Sequence, residues 1–260
     1  MLMSKQREVS YLRLKDFARG SARKLLSTGA ALRLRYPDFD ESTLAILGRV
    51  LPYTMTSPAR IAAVCSAVRY VEANNIPGAF VECGVWKGGS SMAAALTFTD
   101  PRPLFLYDTF EGMTPPTNHD LRASSGTSAA HLLRTADKSD SIWCHSPLQE
   151  VKHNMESTGY PASQITYVKG KVEDTIPGSA PEQIAVLRLD TDWYESTRHE
   201  LVHLYPRLSP GGVLIIDDYG YWAGARKAVD EYFTGTVFLA RIDETGRVVI
   251  KSFANRDPVR

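Results

Sequence analysis

Two stretches of sequence, Ile184-Ala-Val-Leu-Arg-Leu-Asp-Thr-Asp-Trp-Tyr-Glu195 and Gly211-Gly-Val-Leu-Ile-Ile-Asp-Asp-Tyr219, decide the fold. In each stretch an aliphatic run, short enough to be one buried strand, ends in carboxylates. Residues 196–208 between them have the length and spacing of a crossover helix, and Pro210-Gly211-Gly212 is predicted to be the break after it. This strand–helix–strand order predicts neighbouring parallel strands in an α/β fold.

The carboxylates after these two strands are expected to lie close together. Parallel strands joined by a crossover carry their carboxyl ends to the same edge of the sheet, where ligands bind. Asp190, Asp217 and Asp218 would then converge on one point, with Asp192 nearby. Carboxylates that close repel one another unless a cation or a shared proton compensates, and an oxygen-only ligand set suits a hard ion such as Mg²⁺. The alternative is that these residues are polar strand ends and helix caps.

A glycine-rich turn follows another predicted strand, Ala79–Cys83. The turn, Gly84-Val-Trp-Lys-Gly-Gly-Ser90, opens a helix predicted to run through Leu96, and its glycines would let the backbone approach a ligand closely. Its G-x-x-x-G-G spacing matches neither the dinucleotide-binding nor the phosphate-loop pattern. About twenty residues later a second strand ends in Asp108, where nucleoside-binding α/β folds commonly place an acid on ribose. The alternative for Asp108 is an ordinary Asp at the start of a loop.

The remaining segments complete the alternating pattern. Helices are predicted in 10–35, 41–51, 59–74, 147–158 and 221–233, a further strand in 164–169, and a hairpin of 236–241 with 247–253 around Thr245-Gly246. Residues 109–145 are a long irregular stretch, predicted to be a lid or a binding loop, in which each histidine is more simply a solvated residue than a catalyst. We therefore divide the chain into a helical N-terminal extension, 1–75, and an α/β domain, 76–260.

The composition is that of a globular protein, with 43% hydrophobic and 23% charged residues. The N-terminus lacks the apolar core of a secretory signal, and three scattered cysteines suit neither a disulfide framework nor a CxxC metal site. A cytoplasmic location is expected. The net charge of +1 combines +7 in residues 1–35 with −6 in the remainder. Such a basic arm could touch nucleic acid, an anionic membrane or an acidic partner, but we favour a solvated helical face or contact with another subunit.

Four segments carry a resemblance to a known family: Phe80-Val-Glu-Cys-Gly-Val-Trp-Lys-Gly-Gly-Ser90, Tyr107-Asp-Thr-Phe-Glu-Gly-Met113, Leu189-Asp-Thr-Asp-Trp-Tyr-Glu-Ser-Thr197 and Ile216-Asp-Asp-Tyr219. With the strand–helix order, they resemble the macrocin O-methyltransferase family, S-adenosylmethionine-dependent enzymes that methylate sugar hydroxyls of antibiotics using Mg²⁺. The resemblance implies a Rossmann-like class I methyltransferase fold, with a mostly parallel sheet, an antiparallel C-terminal hairpin, a helical N-terminal extension and the lid at 109–145.

The resemblance also implies roles for individual residues. Asp190, Asp217 and Asp218 match the three metal ligands of the family, and Asp192 matches its proposed general base. Glu82 would hold the methionine amino group or its water, Asp108 the ribose, and Glu173 or Asp174 would lie beside the adenine. The full set of expected cofactor contacts is Thr56, Ser57, Glu82, Gly84, Ser90, Asp108, Glu173, Asp174 and Asp190. Thr56 and Ser57 belong to a segment that resembles the one closing over the cofactor.

The implied activity is methyl transfer from S-adenosylmethionine to a sugar hydroxyl, in which Mg²⁺ acidifies the hydroxyl and Asp192 takes its proton. Three alternatives are a catechol-type O-methyltransferase acting on an aromatic diol, a metal-dependent hydrolase, and a non-catalytic cofactor-binding module. Trp193, Tyr194, Tyr219 and Tyr221 would line a sugar-binding face or else pack in the core. The expected partners are a small glycosylated acceptor and further copies of the chain, with no nucleic acid and no membrane span.

Overall fold

The structure is a computed structural model that describes residues 29–253. The chain divides into two compact units, residues 1–52 and 53–260. In the first unit, helices α1 (Gly29–Arg35) and α2 (Glu41–Val50) are described. Asp40 caps α2, because its Oδ1 accepts a hydrogen bond from Thr43 N at 2.8 Å. Most of the basic arm, and most of the helical segment predicted in 10–35, lies outside the described residues.

The second unit is a succession of strands and helices. Its strands are β1 (Ala79–Cys83), β2 (Leu104–Asp108), β3 (Ile165–Lys169), β4 (Ile184–Leu189), β5 (Leu208–Ile216), β6 (Ala240–Arg241) and β7 (Arg247–Ile250). Its helices are α3 (Pro58–Ala73), α4 (Gly89–Thr97), α5 (Ala129–Thr135), α6 (Leu148–Glu156), α7 (Val172–Thr175), α8 (Tyr194–Leu204) and α9 (Ala223–Phe233). Short 3₁₀ turns lie at Ser141–Trp143, Ala162–Gln164 and Tyr205–Arg207.

The strands form one sheet in the order β3-β2-β1-β4-β5-β7-β6. Strands β1 to β5 pair in parallel, and β7 is antiparallel to both β5 and β6. β1 and β4 are buried along their whole length, which explains why their sequences are almost continuous apolar runs. The strand order reverses direction between β1 and β4, so their carboxyl ends border the crevice where such sheets bind ligands. The predicted α/β fold, with a mostly parallel sheet and an antiparallel C-terminal hairpin, is confirmed.

β5 begins earlier than the sequence predicts. The strand starts at Leu208, so Pro210-Gly211-Gly212 lies inside it, and the predicted break there was wrong. The pairing gives the reason: Ile184 of β4 pairs with Leu208 whereas Val186 pairs with Val213, so the extra residues of β5 form a bulge. A bulge tolerates proline and glycine within a strand. The backbone of Lys251 bonds to Gly211 N and Gly212 O and holds this bulge in the sheet.

Other elements differ from expectation mainly at their ends. The two strands of the C-terminal hairpin are shorter than the predicted 236–241 and 247–253, and α8 starts at Tyr194 rather than at residue 196. The stretch 109–145 is not wholly irregular, because it contains α5. The two compact units meet in sequence after Pro52, whereas the predicted boundary is after residue 75. Helix α3 packs on α4, β4 and β5.

Two simple features of the described residues concern membranes and cysteines. Between residues 29 and 253, no helix is long and apolar enough to cross a bilayer. None of Cys65, Cys83 and Cys144 forms a disulfide. The thiols of Cys65 and Cys83 are buried, which leaves Cys144 as the partly accessible one.

Candidate active site

Three carboxylates meet at the carboxyl ends of β4 and β5, and we call them the acid cluster. Asp190 and Asp192 follow β4, Asp218 follows β5, and one oxygen from each lies within 4.8 Å of the others. The chain turns sharply at Asp192, whose φ of 70° is left-handed. The parallel crossover therefore brings together acids that are 28 residues apart in sequence, Asp190 and Asp218.

The surroundings of the acid cluster suit a bound cation. Burial raises the pKa of Asp190, Asp192 and Asp218, and repulsion between the neighbouring charges raises it further, while Arg188 lowers the pKa of Asp190 and a hydrogen bond with Asp218 lowers that of Asp192. The pKa of Asp192 reaches about 7. Asp218 Oδ2 is a buried oxygen with no hydrogen-bond partner. A hard divalent cation would give that oxygen a partner and would remove the repulsion among the three groups, so the donor set fits one.

Asp217 points to different partners. Its Oδ1 accepts a hydrogen bond from Arg188 at 2.5 Å, and Oδ2 pairs with Arg60. Thr56 Oγ1 also donates to Asp217 Oδ1, at 3.1 Å. Burial raises the pKa of Asp217, but Arg188 and Arg60 outweigh burial and hold it below its usual value. The expected grouping was Asp190, Asp217 and Asp218, whereas the observed acid cluster contains Asp192 instead of Asp217.

A buried arginine links these acids. Arg188, in β4, is 1% exposed, and its Nη1 lies 2.6 Å from Glu82 Oε1 and 2.7 Å from Asp190 Oδ2. Counted as ionised groups, six carboxylates here (Glu82, Asp190, Asp192, Asp217, Asp218 and Asp243) face two guanidiniums (Arg60 and Arg188). Four negative charges are left over, an imbalance that a divalent cation would reduce.

A pocket lies beside the acid cluster, between the ends of β1, β2 and β4 and the lid. Its walls are formed by Met55, Gly84, Trp86, Tyr107, Asp108, Thr109, Gly112, Met113, Thr114, Cys144, Gly170, Lys171, Val172, Glu173, Asp190, Thr191, Asp192 and Ser196. One continuous pocket therefore contains the glycine turn, the strand-end acid of β2, the turn after β3 and two members of the acid cluster.

The glycine turn and Asp108 support each other. Asp108 Oδ2 accepts hydrogen bonds from Val85 N at 2.8 Å and Trp86 N at 2.9 Å, and Oδ1 accepts one from Phe110 N at 2.7 Å. Burial raises the pKa of Asp108, while these three backbone donors lower it. Gly84 has a φ of +85°, and a Cβ there would lie 2.0 Å from Asp190 O. Only glycine allows the turn to lie so close to the end of β4.

Thr56 and Ser57, which were expected to close over the cofactor, contact carboxylates and do not line the pocket. Thr56 is buried and donates to Asp217, as described above. Ser57 caps α3, since its Oγ accepts from Arg60 N at 3.2 Å, and it donates to Asp243 Oδ2 at 2.5 Å. The pocket wall in this segment is Met55 instead.

The other expected cofactor contacts divide in the same way. Gly84, Asp108, Glu173 and Asp190 line the pocket, whereas Ser90 and Asp174 are not among its lining residues. Glu82 does not line it either: the side chain is 1% exposed and bonds to Ser91 Oγ and Arg188. The structure therefore places Glu82 beneath the glycine turn.

Several residues of the site were not predicted from the sequence. Cys144, Lys171 and Met55 line the pocket, and none of them belongs to a motif that predicts a ligand contact. Arg188 could have been predicted to belong to the site, because a charged residue inside an aliphatic strand needs a buried partner of opposite charge. Arg60 gave none, since it is far from the acids in sequence. Among the aromatic candidates, Trp193 is buried against Trp222 in an edge-to-face contact of 5.0 Å, while Tyr221 is exposed.

The sheet order and the position of the glycine turn define a class I methyltransferase fold. The sequence profile of the macrocin O-methyltransferase (TylF) family matches residues 27–248, so the chain belongs to that family and is an O-methyltransferase. The family profile leaves out only the first 26 and the last 12 residues.

Individual relatives agree with this assignment. The chain is 38% identical over 203 residues to the 8-demethyl-8-(2,3-dimethoxy-alpha-L-rhamnosyl)-tetracenomycin-C 4'-O-methyltransferase of Streptomyces olivaceus, covering 75% of this chain and 73% of that one. It is 35% identical to the demethyldecarbamoylnovobiocin O-methyltransferase of Streptomyces niveus, covering 69% and 67%. Among solved structures, the O-methyltransferase NovP superposes with a TM-score of 0.66 at 30% identity, covering 77% of this chain and 82% of NovP.

Proposed function

We propose that this O-methyltransferase transfers the methyl group of S-adenosylmethionine to a sugar hydroxyl of a glycosylated small molecule, with the help of a divalent cation. The observation that carries the proposal is the acid cluster, because two of its members line the same pocket as Gly84 and Asp108. The relatives' names support the acceptor class, since they describe a rhamnosylated tetracenomycin, a novobiocin precursor and mycinamicin III. Family membership favours methyl transfer over a metal-dependent hydrolysis.

The cofactor would lie along the pocket from the glycine turn to the turn after β3. Gly84 gives the backbone its close approach, Asp108 offers the carboxylate expected to bind ribose, and Glu173 lies at the end expected to bind adenine. S-adenosylmethionine supplies a methyl group that is already activated, so the protein contributes mainly position and electrostatics.

Asp190 and Asp218 would hold the cation. Proteins commonly bind Mg²⁺ through one or two carboxylates and leave its other positions to water and substrate. A divalent cation supplies positive charge that makes a hydroxyl more acidic and hence a better nucleophile. Asp217 matches a metal ligand by resemblance, but it would have to leave Arg188, Arg60 and Thr56 to become one. We therefore propose that Asp217 orients the two arginines.

Asp192 would act as the general base. Its pKa of about 7 suits a group that takes a proton near neutral pH. Its carboxylate belongs to the acid cluster and also lines the pocket, so it faces the place where an acceptor hydroxyl would lie. Among the ion pairs of residues 29–253, Arg188 pairs with Asp190 and keeps it in position, whereas neither Arg188 nor Arg60 pairs with Asp192.

The acceptor class is tested with a panel of compounds and isotopically labelled S-adenosylmethionine. Glycosylated aglycones whose sugars carry vicinal hydroxyls are compared with catechols. We expect methylation of the sugar diols, located by mass spectrometry on the sugar. Methylation of catechols alone would instead indicate the aromatic-diol enzyme, and cofactor binding without transfer to any acceptor would indicate a binding module.

We also propose a cytoplasmic location and a homo-oligomeric state. That none of the three cysteines forms a disulfide supports a reducing compartment. The oligomeric state rests only on the expected contact of the basic arm with another subunit, and sedimentation of the purified chain would test it.

A further inference from the structure

Asp120 is a buried acid of the lid that lies outside the proposed cofactor and cation sites. It is 0% exposed, in a segment that is predicted from its sequence to be a lid or a binding loop. A buried carboxylate is costly unless hydrogen bonds satisfy it, so its partners show what it does.

The hydrogen-bond partners of Asp120 come from two distant segments, the lid itself and the start of α8. Oδ2 accepts hydrogen bonds from Thr117 N at 2.6 Å and from Thr117 Oγ1 at 2.9 Å, within the lid. Oδ1 accepts one from Tyr194 N at 2.8 Å, the first residue of α8. The α8 N-cap itself, Trp193, makes no side-chain capping bond. Asp120 therefore supplies the missing cap from the lid, where a negative charge also complements the helix dipole.

Asp120 also contacts the start of α9. A Cβ at Gly224, the second residue of α9, would lie 2.0 Å from Asp120 Oδ1, so the helix can approach this carboxylate only because position 224 is glycine. The chain enters α8 directly after Asp190 and Asp192, and it enters α9 shortly after Asp217 and Asp218. One carboxylate thus lies against both loops that carry the acids.

The backbone of the lid reinforces this contact. Leu121 O accepts a hydrogen bond from Ala223 N at 2.8 Å, and Ala123 N donates to Tyr221 O at 2.9 Å. Trp193 Nε1 donates to Thr114 O at 3.0 Å. Residues 114–123 are therefore docked on the two acid-bearing loops, and within them the side chain of Asp120 accepts a hydrogen bond from the first residue of α8.

We propose that Asp120 is a positioning residue that fixes the two acid-bearing loops relative to each other, and thereby sets the geometry of the acid cluster. The proposal rests on the proposed cation site. On this proposal, residues 114–123 of the lid help to position the acid cluster. Removing the carboxylate would free the start of α8, and the loop 190–193 with it, while the glycine turn and Asp108 would keep their own hydrogen bonds.

The test compares Asp120→Asn and Asp120→Ala with wild type and with Asp140→Ala. Asp140 is an exposed lid acid that accepts a hydrogen bond from Asp137 N within the lid, so its loss is a matched control. Three quantities are measured: Mn²⁺ affinity, S-adenosylhomocysteine affinity by calorimetry, and hydrogen exchange of peptides covering 114–128, 190–196 and 79–90.

In Asp120→Ala we expect Mn²⁺ affinity to fall by about tenfold or more and exchange to rise by a similar factor in 114–128 and 190–196, as loss of a charge-assisted hydrogen bond implies. Asp120→Asn should lose less, because its amide oxygen can still accept the hydrogen bond from Tyr194 N. S-adenosylhomocysteine affinity and exchange in 79–90 should stay within about threefold of wild type, a change smaller than the loss of one typical hydrogen bond. Asp140→Ala should match wild type throughout.

Three outcomes would overturn the proposal. Faster exchange in 114–128 alone, with unchanged Mn²⁺ affinity, would show that Asp120 fastens only the lid. Faster exchange in all three peptides would show a general loss of stability. Unchanged exchange in 190–196 would show that the α8 cap is dispensable. If wild type binds no Mn²⁺, the proposed cation site fails instead, and the exchange in 190–196 still reports whether Asp120 holds the loop.

Discussion

Arg188 lies inside β4 and pairs with carboxylates from three strand ends: Glu82 of β1, Asp190 after β4 and Asp217 after β5. Burying an ion costs free energy, and the net effect on stability depends on whether ion pairs and hydrogen bonds satisfy the buried charge. The planar guanidinium can serve several carboxylates at once, which a lysine ammonium on a flexible chain does less well. Arg188 therefore both permits the acids to be buried and fixes their directions.

The first prediction concerns the cost of removing that charge. Arg188→Met should lower the free energy of unfolding by about 3–5 kcal/mol, because two buried carboxylates, Glu82 and Asp217, and the partly buried Asp190 lose a shared partner. Denaturant unfolding followed by fluorescence measures the change. Lys227→Met is a matched control, since Lys227 pairs with Glu231 on the exposed face of α9 and its loss should change the stability little. Equal losses in the two variants would show that the Arg188 network contributes no more than a surface ion pair.

The second prediction separates the roles of the aspartates. Asp190→Asn should weaken Mn²⁺ binding by at least about tenfold, as expected when a residue that directly coordinates the cation is lost. Asp217→Asn should leave that affinity within a few-fold of wild type and mainly lower stability, because Asp217 pairs with Arg188 and Arg60. Titration of Mn²⁺ by electron paramagnetic resonance gives both values. An equal loss of affinity in Asp217→Asn would make Asp217 a ligand after all.

Asp192→Asn gives the third prediction. The amide keeps the size of the side chain but cannot accept the proton, and loss of a general base typically costs ~10²–10⁴-fold in rate. We therefore expect cofactor affinity near that of wild type with turnover at least ~10²-fold slower. Loss of Mn²⁺ binding in this variant would identify Asp192 as a cation ligand, with a lid histidine as the next candidate base. A near-normal rate would mean that no dedicated base is needed.

At the scale of elements, the glycine turn between β1 and α4 connects the cofactor pocket to the end of β4. Gly84→Ala should lower stability and cofactor affinity, because its Cβ would meet Asp190 O, and overpacking of this kind costs about 1–3 kcal/mol. Gly126→Ala is the control: position 126 also has a positive φ, +69°, but nothing lies within 4 Å of its Cβ. The difference between the two variants isolates the close contact. Unfolding and calorimetry that show equal effects would refute it.

The elements differ in how far their sequences determine them. The bounds of β1 follow from its sequence, because five buried residues lie between Pro77-Gly78 and a glycine turn. The N-cap Ser57 and Pro58 likewise fix the start of α3. The start of β5 was harder to predict, since Pro210-Gly211-Gly212 has the composition of a loop and its glycines are hydrogen-bonded to the backbone of the distant Lys251. Such long-range pairing leaves no local signal.

At the scale of the whole molecule, the parallel crossover rule was enough to predict that acids from two strands would meet. Which acids face one another was not predictable, because Arg60 is 157 residues from Asp217 in sequence and yet pairs with it. The role of Glu82 in cofactor binding is implied by the resemblance alone; in the structure its side chain bonds to Arg188 and Ser91 and does not line the pocket. Local motifs predict where the polar groups gather, and the counter-ions from distant segments decide their directions.

The central claim is that the acid cluster holds a divalent cation on which methyl transfer depends. The most direct measurement follows the labelled methyl group from S-adenosylmethionine to a sugar-diol acceptor, after exhaustive chelation and again after Mg²⁺ is added back. A cation that contributes several kcal/mol to the transition state implies a rate loss of roughly 10²-fold or more on chelation, with full recovery on adding Mg²⁺. An unchanged rate in the chelated protein would contradict the account and leave the acid cluster as a set of structural caps.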